Sequence, residues 1–160
     1  MPALSNKNID GFVWVEPQIF YAKRALDDNF VEFKIPEYKE FINIAVRKDF
    51  VERNPELVKK FIKGLIKSDE FIKQNRNETI NIVSKKLAIN ENDLDKVWDA
   101  SFIFEINLDG SLLVQLEKEA KWAIESGKVS KDTKIPYFCD NIYADALNEL
   151  KSEAVTIECP

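Results

Sequence analysis

The 160-residue chain has the length of one domain, and its 45% apolar and 32% charged residues are typical of a soluble globular protein. Its net charge of −5, with 23 basic residues scattered among 28 acidic ones, argues against nucleic-acid binding, which needs a basic surface. Histidine is absent, which excludes a histidine-based triad or zinc site within the chain, and we expect no catalytic centre, no metal and no cofactor.

The cysteines and the first residues bear on the cellular compartment. Cys139 and Cys159 lie twenty positions apart, and because Cys159 falls in what we expect to be a tail, we predict two free thiols rather than a disulfide. Residues 1–5 lack the basic and apolar regions of a signal peptide. No apolar run reaches the roughly 20 residues that span a bilayer. Taken alone, this favours a cytoplasmic protein, unless the natural amino terminus is missing.

Three apolar segments in the first third of the chain predict β-strands. Residues 9–15 form a short apolar run that suits a buried strand and is ended by Pro17. Residues 31–35 alternate apolar and polar side chains, as an edge strand does, and residues 41–47 indicate a strand buried on most sides. These strands are too few to close a sheet of the usual size of about four to six strands, so we expect them to need partners.

Helices are predicted for most of the remainder. A short helix is expected over residues 18–27, and Asn54 followed by Pro55 is typical of a helix start. Apolar spacing then predicts helices from Pro55 to about residue 74, from residue 77, from residue 90, from residue 109 to a stop at Gly127, and over residues 141–150. The sequence therefore predicts a helix-rich α/β fold, with few strands followed by about five helices.

Three blocks of sequence occur in a characteristic order. They are Ile-Asp-Gly-Phe-Val-Trp-Val-Glu-Pro at residues 9–17, Ala-Val-Arg-Lys-Asp-Phe-Val-Glu-Arg-Asn-Pro-Glu-Leu-Val-Lys-Lys-Phe at residues 45–61, and Trp-Ala-Ile-Glu-Ser-Gly-Lys-Val at residues 122–129. The third is followed by Ile-Pro at 135–136, Ile-Tyr-Ala-Asp-Ala-Leu at 142–147 and Glu-Ala-Val-Thr-Ile at 153–157. In order and spacing they resemble the nitrate/sulfonate/taurine (NMT1-like) family of periplasmic solute-binding proteins of ABC importers, over the carboxy-terminal half of a family member only.

The resemblance implies a partial type II periplasmic-binding-protein fold, in which two α/β lobes close on a solute about a hinge. Residues 1–40 would end the second lobe, residues 41–48 would be the hinge strand that crosses between lobes, and residues 49–160 would be the helical carboxy-terminal part of the first lobe. It also implies binding rather than catalysis, with a small anionic or heterocyclic solute such as a sulfonate, taurine or nitrate. An ABC permease would be the partner of the full-length protein, in a periplasmic or extracellular, membrane-associated location.

Six residues are candidates for contact with the solute. Trp14, Glu16, Pro17 and Gln18 follow the end of a predicted strand, where α/β sheets place their ligands. In the family pattern the tryptophan directly precedes the glutamate, whereas Val15 intervenes here, so Trp14 could instead lie in the core. The other two candidates, Tyr38 and Asn43, flank or occupy the expected crossing strand, and backbone pairing at the hinge is the alternative role for Asn43.

Two further functions stay open. One is an enzyme of the same fold that makes the pyrimidine of thiamine, although that enzyme depends on histidine and on lysine-bound pyridoxal phosphate. The other is a stand-alone helical interaction module. Because the predicted strands at residues 12–15 and 41–46 would have open edges in this chain alone, we expect a homodimer or a strand-swapped oligomer.

Overall fold

A computed structural model describes residues 2–33, 41–101 and 104–159. Eight α-helices lie in these ranges: α1 Pro2–Ser5, α2 Gln18–Leu26, α3 Lys48–Arg53, α4 Pro55–Gln74, α5 Arg76–Leu87, α6 Glu91–Ser101, α7 Gly110–Glu125 and α8 Asp145–Leu150. Short 3₁₀ turns cover Asp27–Asn29, Phe138–Asn141 and Ser152–Ala154.

The predicted α/β fold, with its partial type II periplasmic-binding-protein sheet, is wrong. The described part of the chain is all-α, and its nearest approach to a sheet is an isolated parallel bridge between Leu108 and Val155. Residues 9–15, 31–33 and 41–47 are apolar, as predicted, but they form no strands. The physical reason is that a strand exists only beside a hydrogen-bonded neighbour, and within the described chain residues 9–15 and 41–47 form no β-ladder with another segment. Residues 34 and 35 of the predicted edge strand lie outside the described residues.

The chain divides into two compact units. The first unit comprises Met1–Lys39 and Glu70–Phe104. Its core is formed by the buried side chains of Ile80, Leu94 and Trp98, and partly buried apolar residues pack around them: Ile72, Val83, Ile89 and Phe104. The rings of Trp98 and Phe104 are stacked, with their centroids 5.2 Å apart. The core of this unit therefore lies where α5 and α6 pack together.

Polar contacts fix α6 and hold α2 beside it. The side chain of Asn90 accepts a hydrogen bond from the Asp93 N–H at 3.1 Å, which satisfies one of the free donors at the start of α6. Arg24 of α2 pairs with Asp93 at 3.3 Å, and the Lys96 Nζ lies 5.8 Å from the centroid of the Phe20 ring. These contacts between α2 and α6 position the segment that leads into α2, where four of the predicted site residues lie.

The second unit comprises Glu40–Asp69 and Glu105–Pro160. Within it, Asp109 starts α7 by accepting a hydrogen bond from the Ser111 N–H at 2.7 Å. Gly127 follows the end of α7 with a φ of 71°, a left-handed conformation that glycine adopts without steric cost. Lys59 of α4 forms an ion pair with Glu149 of α8. The buried apolar side chains of this unit are Leu112, Ala146, Leu147 and Ala154.

Cys139 and Cys159 form a disulfide, with their Cα atoms 5.7 Å apart, so the prediction of two free thiols is wrong. The segment before Cys159 is not a free tail. The Leu108 N–H donates to the Ala154 carbonyl at 2.7 Å, and the Thr156 N–H donates to the Leu108 carbonyl at 2.9 Å. These bonds hold the carboxy-terminal segment in place within the second unit.

Candidate functional site

Three segments of the described chain expose large apolar side chains, and we call residues 12–15, 31–33 and 41–46 the open segments. Val13, Phe33 and Ile42 are 94%, 89% and 95% exposed. Five more are between 48% and 71% exposed, namely Trp14, Val15, Val31, Ile44 and Val46. Phe12 and Phe41 are half-buried. Single exposed apolar residues are common on protein surfaces, but runs of neighbouring ones mark an interaction surface.

The backbone of residues 12–14 and 41–46 is likewise without partners among the described residues. Among the described residues, no backbone hydrogen bond joins residues 12–14 or 41–46 to another part of the chain. Backbone N–H and C=O groups that leave water must be paired. Burial of these apolar side chains therefore requires a neighbour that supplies backbone partners as well.

Four of the six predicted site residues lie together at the start of α2. Trp14 is 61% exposed, so the alternative that places it in the core is wrong. The Glu16 carboxylate accepts a hydrogen bond from the Phe20 N–H at 2.9 Å, which caps the first turn of α2. Pro17 is buried and joined to Glu16 by a cis peptide bond, and Gln18 is the first residue of the helix. The polar groups of this segment thus serve the helix start, while the Trp14 ring faces solvent.

The remaining two predicted site residues are not part of that group. Asn43 is exposed within the open segment 41–46 and belongs to the second unit, whereas residues 14–18 belong to the first. Tyr38 lies outside the described residues. The role of all six in contacting a solute stays a prediction.

Sequence reasoning missed an open groove of about 730 Å³ in the second unit. The groove is lined by residues of the open segment 41–46, of α3 and of the positions that flank α3: Ala45, Val46, Arg47, Asp49, Phe50, Arg53 and Asn54. The sequence predicted a strand over residues 41–47 and the next helix only from Pro55, whereas α3 begins at Lys48. The signal for part of the groove was the four-residue spacing of Asp49 and Arg53, which one helical turn brings to a common side.

Three of the lining residues, Arg47, Asp49 and Arg53, form an ion cluster. The Asp49 carboxylate accepts hydrogen bonds from both Arg47 and Arg53, with the Arg47 Nε at 2.8 Å from Asp49 Oδ1. The hydrogen bond from Arg47 is the main cause that lowers the pKa of Asp49 below its usual value, and the same bond raises the pKa of Arg47. An anionic group entering the groove would meet two guanidinium groups and one carboxylate, with the Phe50 ring beside them.

Residues 2–33, 41–101 and 104–159 contain neither a candidate metal site nor a candidate membrane-spanning helix. No group of three or more cysteine, aspartate or glutamate side chains there is arranged to hold a metal ion. None of the helices in those ranges is long and apolar enough to cross a membrane.

Comparison with protein-family models, with curated proteins and with solved structures finds no match to this chain.

Proposed function

We propose that this chain is part of an extracytoplasmic solute-binding component of an ABC importer, for a small anionic or heterocyclic solute such as a sulfonate, taurine or nitrate. One observation supports this most strongly: the helices from Pro55 onward are folded, while the open segments expose most of their large apolar side chains. A chain with apolar side chains exposed in this way needs a second polypeptide segment that covers them. In a solute-binding component, that segment would supply the other wall of the solute site.

Within this proposal, the segment before α2 provides one side of the solute site. The exposed Trp14 ring offers an apolar surface, and the Gln18 amide carries both a donor and an acceptor. Glu16 acts as a positioning residue, because its carboxylate is engaged by the Phe20 N–H. The solute is held by contacts alone, with no covalent step.

The Cys139–Cys159 disulfide supports the extracytoplasmic location. Disulfides form and persist in oxidising compartments, and thiols are kept reduced in the cytosol. A periplasmic or extracellular, membrane-associated protein is the class in which such a bond is expected, and an ABC permease would then be the membrane partner.

The test is calorimetry on this chain alone and on the chain co-expressed with the polypeptide encoded immediately upstream of it. We expect taurine, an alkanesulfonate, nitrate or a thiamine-type pyrimidine to bind only when both polypeptides are present. Trp14→Ala should weaken that binding, and Trp122→Ala is the matched control because Trp122 on α7 is 60% exposed, against 61% for Trp14. Tight binding of any of these solutes to this chain alone would contradict the proposal. The proposal would also be contradicted if the two polypeptides together bound none of the solutes and no permease gene lay nearby.

A stand-alone helical interaction module is the second candidate function. The observation that favours it is the all-α fold of the described residues, with apolar open segments available to a partner. This candidate requires no solute and no permease. Binding of taurine, an alkanesulfonate, nitrate or a thiamine-type pyrimidine by the completed protein would exclude it.

A further inference from the structure

The groove beside α3 combines an excess of positive charge with exposed apolar surface. Its charged lining residues are Arg47, Asp49 and Arg53, so one positive charge is left over in a chain whose net charge is −5. Its large apolar lining residues, Val46 and Phe50, are 48% and 41% exposed. The groove volume of about 730 Å³ falls in the range of roughly 300–1,000 Å³ that small-molecule sites occupy. An anion with an apolar body matches both parts of this lining.

A single carboxylate holds both guanidinium groups of the groove. Arg47 donates from Nε and Nη2 to the Asp49 carboxylate, with the Nε 2.8 Å from Oδ1. Arg53 donates from Nη2 to the same carboxylate and from Nε to the Asp49 carbonyl at 3.0 Å. Each guanidinium therefore has its Nε–Nη2 edge engaged by Asp49, and its side chain is oriented before any ligand arrives.

The opposite edge of each guanidinium is left open to a ligand. A guanidinium carries five N–H groups, and each arginine donates two of them to Asp49. The fork formed by Nη1 and the second N–H of Nη2 has no acceptor among the described residues on either Arg47 or Arg53. Such a fork matches the two oxygens of a planar carboxylate through two parallel hydrogen bonds.

We propose that this groove binds an aromatic carboxylate, with the carboxylate on the open forks of Arg47 and Arg53 and the aromatic ring against Phe50. One carboxylate balances the single excess positive charge of the cluster, whereas a phosphate dianion would leave a negative charge. Two aromatic rings attract each other beyond the apolar area that they bury. Asp49 is a positioning residue, because it holds the arginines and repels rather than binds the anion.

This groove is separate from the solute site proposed before α2. It belongs to the second unit, whereas Trp14 and Gln18 belong to the first. The aromatic carboxylate is held by residues of this chain alone, so its binding requires no companion polypeptide and no permease. Trp14→Ala should therefore leave it unchanged, and the two proposals succeed or fail independently.

The exposure of the arginines sets the strength of binding and its dependence on salt. The side chains of Arg47 and Arg53 are 79% and 70% exposed, so water and ions screen their attraction for an anion. We expect a dissociation constant on the order of 1 mM for benzoate at low ionic strength. Added sodium chloride should weaken the binding, whereas binding through the Phe50 ring alone would not weaken.

The first test is an NMR titration of the whole chain with benzoate, acetate and benzyl alcohol. Benzoate should shift the Nε–H resonances of Arg47 and Arg53 along a saturating curve. Acetate, which lacks the ring, should bind several-fold more weakly, and benzyl alcohol, which lacks the carboxylate, should not saturate. The proposal would be overturned by Nε–H resonances that do not respond to benzoate, by equal affinities for benzoate and acetate, or by saturation with benzyl alcohol.

The second test assigns the carboxylate to the arginines. Arg53→Gln removes the charge at an exposed position and should weaken benzoate binding several-fold with unchanged helical circular dichroism. Arg24→Gln is the matched control, because the Arg24 side chain is 69% exposed and also pairs with an aspartate, Asp93, but lies in the first unit. Equal affinities of the two variants for benzoate would show that the arginine of the groove does not hold the carboxylate.

The third test assigns the ring to Phe50. Phe50→Leu keeps an apolar side chain and should reduce the preference for benzoate over acetate while leaving acetate binding unchanged. Phe61→Leu is the control, because Phe61 on α4 is 52% exposed and does not line the groove. A preference for benzoate that survives Phe50→Leu, or that Phe61→Leu reduces equally, would overturn the placement of the ring.

Discussion

Replacing Leu94 by alanine should destabilise the first unit by about 3 kcal/mol, the lower part of the range found when a buried leucine is truncated. Leu94 is 1% exposed and packs with Ile80 and Trp98 in the core of that unit. The change removes apolar contacts and leaves a cavity that the helix backbones of α5 and α6 cannot close. A loss of this size shifts the unfolding equilibrium by on the order of a hundredfold.

Urea unfolding followed by tryptophan fluorescence measures this loss. Trp98 is buried in the same cluster, whereas Trp14 and Trp122 are about 60% exposed, so the blue-shifted part of the emission reports on the core. Leu87→Ala is the matched control, because Leu87 is 61% exposed on α5 and its truncation should change stability by about 0.5 kcal/mol or less. Equal midpoints for the two variants would refute the assigned core. Should Leu94→Ala fail to fold, Ile80→Val should still cost about 1 kcal/mol.

Three further outcomes are expected. The double variant Cys139→Ser, Cys159→Ser should lose about 3 kcal/mol by chemical denaturation, because the disulfide closes a loop with a sequence separation of 20, and an unchanged midpoint would contradict this. Glu16→Ala should destabilise α2 by about 1 kcal/mol, and Glu16→Gln should destabilise it less because the amide oxygen still accepts a hydrogen bond from the Phe20 N–H. Helical circular dichroism and urea midpoints measure the difference between the two variants. The pKa of Asp49 is lower in the folded protein than in the unfolded chain, so its ionised carboxylate stabilises the fold above the unfolded pKa, and this stabilisation is lost as pH falls through the folded pKa. In an NMR carboxyl titration, Arg47→Gln should raise the pKa of Asp49 by more than Arg53→Gln does. Equal shifts would contradict the assignment of Arg47 as the main cause.

The helices could be predicted because their signals are local. Pro55 at the first helical position and residue 74 as the end were predicted correctly for α4, as was the start of α7 after Asp109. The helix expected from residue 77 begins at Arg76, since Asn75 rather than Asn77 precedes the first turn. Apolar spacing and capping residues act within one or two turns, so one sequence suffices to read them.

The strands could not be predicted in the same way, because a strand depends on a neighbour that its own residues do not specify. Residues 41–46 have the β-branched content of a strand, yet the described chain offers them no partner. The disulfide was missed for a related reason: the bonds between Leu108 and the carboxy-terminal segment join positions more than forty residues apart. The ion cluster at Asp49 was missed because α3 was not predicted, although its residues stand close together in the sequence.

We infer that the open segments are pairing surfaces, and the amide hydrogen exchange of residues 41–46 reports on such pairing. In dilute solution these amides should exchange at nearly the rate of an unfolded peptide, while those of α5 and α6 are protected. At high concentration, or with the upstream-encoded polypeptide, protection should appear at residues 41–46. Amides in this segment that exchange equally fast under every condition, or that are already protected in the dilute monomer, would contradict the claim.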